Sequence, residues 1–217
     1  MTIHLCFHGV GVCSHEREAG EAKYWVTDDI FLRILDLAAE RPNVAISFDD
    51  GNRSDADIAL PALLERGLKA TFFPLAGRLD DPASLDTSDI RTLVKAGMTI
   101  GTHGWAHVPW RGLDAADRQR EFVDARDRLS EASDRRIDYA ALPLGRYDRA
   151  VLGQLKSAAY RRVYTSDRYR ARAGAWLQAR FSITAQDTVD SVRNLLTQPR
   201  WPGEARNHLA SLVKRVR

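Results

Sequence analysis

Two adjacent carboxylates, Asp49 and Asp50, close the stretch NVAISFDDG at residues 43–51. Val44, Ala45, Ile46 and Phe48 form a short apolar run that stops at Asp49, Asp50 and Gly51, the pattern of a buried parallel strand delivering two acids to its carboxyl end. That is the end at which α/β folds place their chemistry. Two neighbouring acids in a closed site repel each other unless a positive charge keeps both ionised, and a metal ion is the natural candidate. The competing reading is an Asp-Asp-Gly turn with solvated carboxylates, because Asp and Gly are common turn formers.

The counterpart is THGWAH at 102–107, which follows another short apolar strand at 98–101. His103 and His107 are four residues apart, so a helical turn there puts both imidazoles on one face, within reach of a single ion. Two histidines and one aspartate leave a position open on zinc for water, as hydrolysis requires. An isolated HxxxH is a weak signal, but beside SFDDG at another strand end it is a strong one.

SFDDG at 47–51, HGWAH at 103–107 and ALPLGRYD at 141–148, in that order, resemble the first three motifs of the polysaccharide deacetylase family, also called the NodB-homology or carbohydrate esterase family 4 domain. The resemblance runs from FHGVG near the start to Ile183. It implies an α/β fold, a distorted (β/α)7 barrel of NodB type, as a single domain over residues 1–217. It also implies metal-dependent hydrolysis of the acetamide of an N-acetylhexosamine-containing glycan or glycan precursor, releasing acetate. Asp49 is implied as general base, and Asp50, His103 and His107 as metal ligands.

Two further segments resemble circularly permuted members of the family. FHGV at 7–10 is similar to their YHxV-like motif, which replaces a histidine motif otherwise found near the end and implies His8 as general acid. From its residues alone, a histidine ending an apolar strand is more often structural. ARFSI at 179–183 is similar to their PRIxV segment, which implies Arg180 on the rim near Asp49, holding the base ionised and aimed. A surface arginine at a strand start is the plainer alternative. In ALPLGRYD, Leu144 stands where the family usually has an aromatic residue, and the family's backbone amide there helps bind the oxyanion. A backbone donor survives the change of side chain.

Zinc is the first expectation for this ligand set, which also accepts cobalt, nickel or iron(II). The N-acetylated sugar partner is expected to be a soluble oligosaccharide, a nucleotide sugar or a lipid-linked precursor. Two rival readings stand beside this one. One is a metal-dependent hydrolase of a non-sugar amide or cyclic amide, because fold does not fix substrate. The other is a non-catalytic carbohydrate-binding protein, against which the intact Asp49, Asp50, His103 and His107 set argues.

Composition sets outer bounds. A chain of 217 residues with 44% hydrophobic and 28% charged residues builds one sizeable core. The net charge of +3 is spread along the chain, so nucleic acid is not expected as a partner. Residues 161–172 are the one Arg-rich stretch, read as a solvated loop with contact to an anionic substrate group as the alternative. Cys6 and Cys13 are expected as unpaired thiols of a reducing compartment. The start, MTIHLCFHGVGV, lacks an export-signal pattern, and no apolar run approaches about twenty residues, so a cytoplasmic location without a transmembrane segment is expected. Oligomeric state is not encoded in any of these features.

Seven strands must position the chemistry: 3–10, 43–51, 69–74, 98–101, 139–144, 162–165 and 179–183, alternating with helices. Residues 12–26 have no period and read as a rim loop, whose Tyr24 and Trp25 either pack against the barrel or stack on a sugar ring. Thr27 is expected to cap a helix that buries Ile30, Phe31, Ile34, Leu35 and Ala38. A helix over 54–66 turns Ile58, Leu60, Leu63 and Leu64 inward, with Pro61 forcing a kink or a late start. Thr87 is expected to cap the next helix. A long helix over 114–132 buries Phe122, Val123 and Leu129 and presents its charges to solvent. Another helix spans 148–159. Residues 186–217 read as amphipathic helix broken at Trp201 and Pro202, with His208 exposed.

Overall fold

The computed structural model describes residues 1–199 and 203–217, so the break expected at Trp201 and Pro202 lies outside the described residues. The strands are β1 (Ile3–Phe7), β2 (Gly9–Val10), β3 (Trp25–Val26), β4 (Val44–Asp50), β5 (Ala70–Pro74), β6 (Thr99–Ile100), β7 (Tyr139–Ala141), β8 (Arg162–Thr165) and β9 (Leu177–Ser182). Seven of them form one parallel sheet in the order β6-β5-β4-β1-β9-β8-β7, while β2 and β3 pair separately. The two edges of the large sheet meet just beyond β6. There the Thr102 N–H donates to Tyr139 O and the Ala141 N–H to Thr102 O, each at 2.9 Å. The result is a nearly closed barrel of seven parallel strands, the distorted (β/α)7 architecture expected.

The helices are α1 (Asp28–Ala39), α2 (Leu60–Glu65), α3 (Thr87–Lys95), α4 (Ala115–Arg118), α5 (Ala125–Ser133), α6 (Arg149–Ser157), α7 (Val189–Thr197) and α8 (Glu204–Val216). Phe7, Phe48 and Phe72 sit side by side on adjacent strands and face this helical layer. Phe48 stacks on Phe72 at 4.7 Å, and Phe7 meets Phe31 of α1 edge-on at 5.1 Å. Burying each such side chain contributes about 2–3 kcal/mol. Side chains alternate along a strand, so the intervening residues Cys6, Ser47, Asp49 and Phe73 point into the barrel, and so does Arg180, which is in register with His4 on β1. A strand that anchors its outer residues in aromatic packing therefore holds its inner polar residues in fixed positions. No helix among the described residues is long and apolar enough to cross a membrane.

Several local expectations need correction. Asp86, not Thr87, caps α3: its carboxylate accepts from the Ser88 and Asp89 N–H groups, and the Asp89 side chain accepts from the Asp86 N–H. The helix at 54–66 begins as a π turn, Asp55–Ala59, and becomes α only at Leu60, where Pro61 sits in the first turn and needs no N–H partner. A π turn holds an extra residue and shifts the helical phase, which leaves Leu64 exposed and buries Asp55. A second π turn, Gln119–Asp124, exposes Val123 and buries Glu121, so that helix's charges are not all solvated. The 161–172 stretch is not a solvated loop either. Arg170 is buried, ion-pairs with Glu204 and donates to the carbonyls of Leu195 and Gln198 at 2.8 and 2.6 Å. Cys6 and Cys13 are both unpaired.

Candidate active site

Asp49 faces inward from β4 and meets Arg180 across the barrel from β9. The guanidinium grips both carboxylate oxygens, at 2.6 Å to Oδ1 and 2.7 Å to Oδ2, and also donates to Ser47 Oγ at 3.1 Å. Arg180 is 1% exposed, so the surface-arginine alternative does not hold. The rings of Phe73 and Tyr164, at 5.3 and 5.8 Å, flank the cation and hold it in place. Burial works against a charged Asp49, but Arg180 and then His103 more than offset it, and the carboxyl is held well below the usual carboxylate range.

Asp50 ends the strand with φ 72°, in the left-handed region, and Gly51 follows at φ 68°. A Cβ on Gly51 would stand 2.7 Å from Pro74 Cβ, so only glycine fits there. This turn brings Asp50 Oδ1 to 3.6 Å from His103 Nε2 and 3.6 Å from His107 Nε2. The two imidazoles converge without a helix: residues 103–107 form an irregular loop, with Gly104 at φ 87° and His107 at φ 55°. The buried Glu121 carboxylate holds that loop by accepting from the Trp105 and Ala106 N–H groups at 2.8 and 3.1 Å. A Cβ on Gly104 would lie 2.3 Å from Glu121 Oε2, so the glycine and the acid fit as a pair. Left-handed backbone at non-glycine positions costs energy and clusters at functional sites, and Asp50, His107 and Leu144 all adopt it here.

The donor set fits a metal ion. His103 Nδ1 lies 2.9 Å from Ala141 O and His107 Nδ1 lies 2.6 Å from Glu18 Oε2. Both partners accept, so each ring carries its proton on Nδ1 and turns an Nε2 lone pair toward Asp50. Asp50 Oδ1 is buried and has no hydrogen-bond partner. Burial pushes His103 down to about 4, against the pull of the Asp49 carboxylate, so the ring is neutral at pH 7 as a ligand must be. Ligands held about 2.0–2.1 Å from a tetrahedral zinc stand roughly 3.3–3.4 Å apart, close to the spacing here. Cys6, His8 and Asp49 also come together, but burial pushes the Cys6 thiol well above its usual value and Arg180 occupies both Asp49 oxygens. That second set does not fit an ion.

A cavity of about 280 Å³ opens at the carboxyl ends of the strands, and its lining includes all seven residues singled out in the sequence: His8, Asp49, Asp50, His103, His107, Leu144 and Arg180. β1 lies between β4 and β9, which sets His8 beside Asp49. The His8 ring packs against Tyr24 at 4.8 Å, and its Nδ1 is buried without a partner. Trp25 packs over Gly9. The Leu144 N–H has no acceptor among the described residues, and its side chain is half exposed.

Three contributors escaped the sequence reading. Glu18, which also pairs with Arg78, comes from the 12–26 loop, whose lack of period carried no signal. Glu121 and Asp55 were hidden by the π turns. Asp55 is fully buried with both oxygens unpartnered, and burial followed by repulsion from Asp50 and Asp49 raises it well above the carboxylate range.

A parallel (β/α)7 barrel whose strand ends bring an Asp-His-His donor set beside an arginine-held carboxylate has the outline of a barrel hydrolase. The polysaccharide deacetylase family model matches residues 36–163, more than half of the chain, and the chain belongs to that family. The matched span contains Asp49, Asp50, His103, His107 and Leu144, while His8 and Arg180 lie outside it. YxkH of Bacillus subtilis (strain 168) is 25% identical over 124 residues, covering 57% of this chain and 44% of that protein. The match thus spans less than half of YxkH. Among solved structures, the Streptococcus pyogenes deacetylase PplD in complex with acetate is similar in fold. Its TM-score is 0.78 at 19% identity, over 91% of this chain and 98% of that one. BC0361, a polysaccharide deacetylase from Bacillus cereus, gives 0.75 at 16% identity, over 89% and 68%.

Proposed function

We propose that this protein is a metal-dependent N-deacetylase that hydrolyses the acetamide of an N-acetylhexosamine-containing glycan or glycan precursor, releasing acetate. One observation carries the reading: the unpartnered Asp50 Oδ1 stands 3.6 Å from two Nε2 atoms, immediately beside a carboxylate that Arg180 keeps charged. Asp50, His103 and His107 hold the ion, zinc by preference, and when bound it supplies Lewis acidity toward the acetamide carbonyl and the attacking water. Asp49 takes the proton of that water. Arg180 fixes the orientation of Asp49 and leaves each carboxylate oxygen a further lone pair for the transfer. The Leu144 N–H donates to the developing oxyanion, a contact that strengthens as charge builds up on the oxygen. His8, delivered by the first strand as in permuted family members, protonates the departing amine. A cavity of about 280 Å³ suits one sugar ring and its acetamide. The unpaired Cys6 and Cys13 support a cytoplasmic site of action.

The test is acetate release from an N-acetylated chitooligosaccharide, compared with hydrolysis of simple and cyclic amides. Release from the sugar is expected. Hydrolysis of the amides alone would replace this reading with a non-sugar amidase, and sugar binding without release would replace it with a binding protein.

Glu18→Gln probes the support of the metal centre. The substitution exchanges the anionic acceptor of the His107 Nδ1–H for a neutral one, and the affinity for zinc is expected to fall about 10–100-fold in calorimetric titration of metal-stripped protein. Unaltered affinity would show that Glu18 plays no part in holding the ligand.

A further inference from the structure

Helix α8 is amphipathic in the reverse of the usual sense. A surface helix ordinarily turns its apolar stripe to the core and its polar residues to water. Here the inward residues are polar. Glu204 ion-pairs with Arg170, and Asn207 Nδ2 donates to Arg168 O at 3.1 Å. Ser211 Oγ hydrogen-bonds with the Tyr147 and Tyr169 hydroxyls at 2.8 and 3.2 Å, and Lys214 Nζ lies 2.7 Å from Asp167 Oδ1. The outward residues are aliphatic. Leu209, Leu212, Val213 and Val216 follow the i, i+3, i+4, i+7 spacing that makes one stripe, and they are 42–76% exposed. Single exposed aliphatics need no explanation, but a continuous ridge on one helix does.

Charge decides what covers the ridge. Arg206 is exposed on the same helix and Arg217 at its C-cap, and the helix's only acid, Glu204, is buried against Arg170. A second copy docking through a two-fold axis would set this face against itself, opposing cations to cations with no carboxylate from the helix to pair them. A surface of negative headgroups over a hydrocarbon interior matches both features, and a convex ridge needs no groove in a partner to enter it.

We propose that α8 is an interfacial helix that docks this protein on an anionic lipid surface, with Leu209, Leu212, Val213 and Val216 entering the acyl boundary and Arg206 and Arg217 meeting the headgroups. On the inward side of the same helix, Lys214 Nζ lies 3.3 Å from Gly145 O in the loop that lines the cavity. The docking face does not depend on the chemistry inside the cavity, so it stands or falls separately from the deacetylase reading.

The full chain, with and without Leu209→Gln/Val216→Gln, is sedimented with vesicles of phosphatidylcholine alone and with vesicles containing about one-third phosphatidylglycerol. The expected result is binding to the anionic vesicles, at least about 10-fold weaker binding to the neutral ones, and a similar loss in the double variant. Arg206→Glu/Arg217→Glu is expected to abolish the preference for anionic lipid. All these side chains are exposed, so circular dichroism and Tm should be unchanged, and acetate release from a soluble oligosaccharide should also be unchanged. Absence of vesicle binding, or binding that survives Leu209→Gln/Val216→Gln, would overturn the proposal. So would a dimer in light scattering that this double variant dissolves, which assigns the ridge to a second copy. Capture of an acidic protein in place of vesicles would assign it to a protein partner and overturn the proposal equally.

Discussion

Asp49→Asn is expected to lower kcat for acetate release about 10²–10⁴-fold while the protein still binds one metal ion with wild-type affinity. The two effects separate because Asp49 and Asp50, although adjacent and both within 3.7 Å of His103 Nε2, differ in their other partners. Both Asp49 oxygens are held by Arg180, whereas Asp50 Oδ1 faces His103 and His107. An asparagine keeps the shape of the side chain but has no basic oxygen, so it cannot take the proton of the attacking water. Steady-state kinetics together with zinc titration reads both quantities. Unchanged turnover would remove Asp49 from the chemistry, and loss of the metal would reassign it as a ligand.

Arg180→Met is expected to destabilise the fold by about 3–5 kcal/mol, because it leaves the Asp49 carboxylate buried without its counter-ion. For a chain of this length that corresponds to a fall in Tm of roughly 10 °C. The pH dependence should change sign as well. In the wild type, the folded-state pKa of Asp49 is depressed, so the pair adds stability that is fully present above the ordinary carboxylate value and is lost as pH falls through the depressed one. Without Arg180, burial dominates and raises the folded-state pKa, so the variant gains stability on acidification and loses it as pH rises through the raised value. Asp49→Asn/Arg180→Met should recover much of the loss, because no buried charge remains. Thermal melts between about pH 5 and 8 decide the matter. A variant with flat pH dependence and a Tm within about 2 °C of wild type would show that the pair does not organise the barrel interior.

Much of this architecture was legible because two of the barrel strands, β1 and β4, are apolar runs that lead directly to residues able to do chemistry. Leu5, Cys6 and Phe7 lead to His8, and Ile46 and Phe48 lead to Asp49 and Asp50, so the strand ends could be read as one rim before any contact was known. The alternation that puts Phe48 outside and Asp49 inside is a property of any strand. What stayed hidden depended on backbone that leaves the regular periods. The spacing of His103 and His107 suggested a helix, but the imidazoles converge through left-handed backbone at Gly104 and His107, which spacing alone does not reveal. The two π turns displaced the helical phase, so Leu64 and Val123 turned outward and Glu121 turned in to hold the histidine loop. Glu18 reaches His107 from a loop with no period, a contact 89 residues apart in the chain. Amphipathicity, finally, has no sign. The pattern of α8 announced one apolar face, and only the hydrogen bonds of Glu204, Asn207 and Ser211 show that the polar face is the inner one.

The most direct measurement is a titration of metal-stripped protein with zinc in which acetate release from an N-acetylated chitooligosaccharide is followed at every step. Release should rise in proportion to added zinc and level off at one equivalent per chain, and the rise should be absent in His103→Gln and in Asp50→Ala. Full activity in the stripped protein, or release that ignores those two substitutions, would contradict a catalytic centre built on Asp50, His103 and His107.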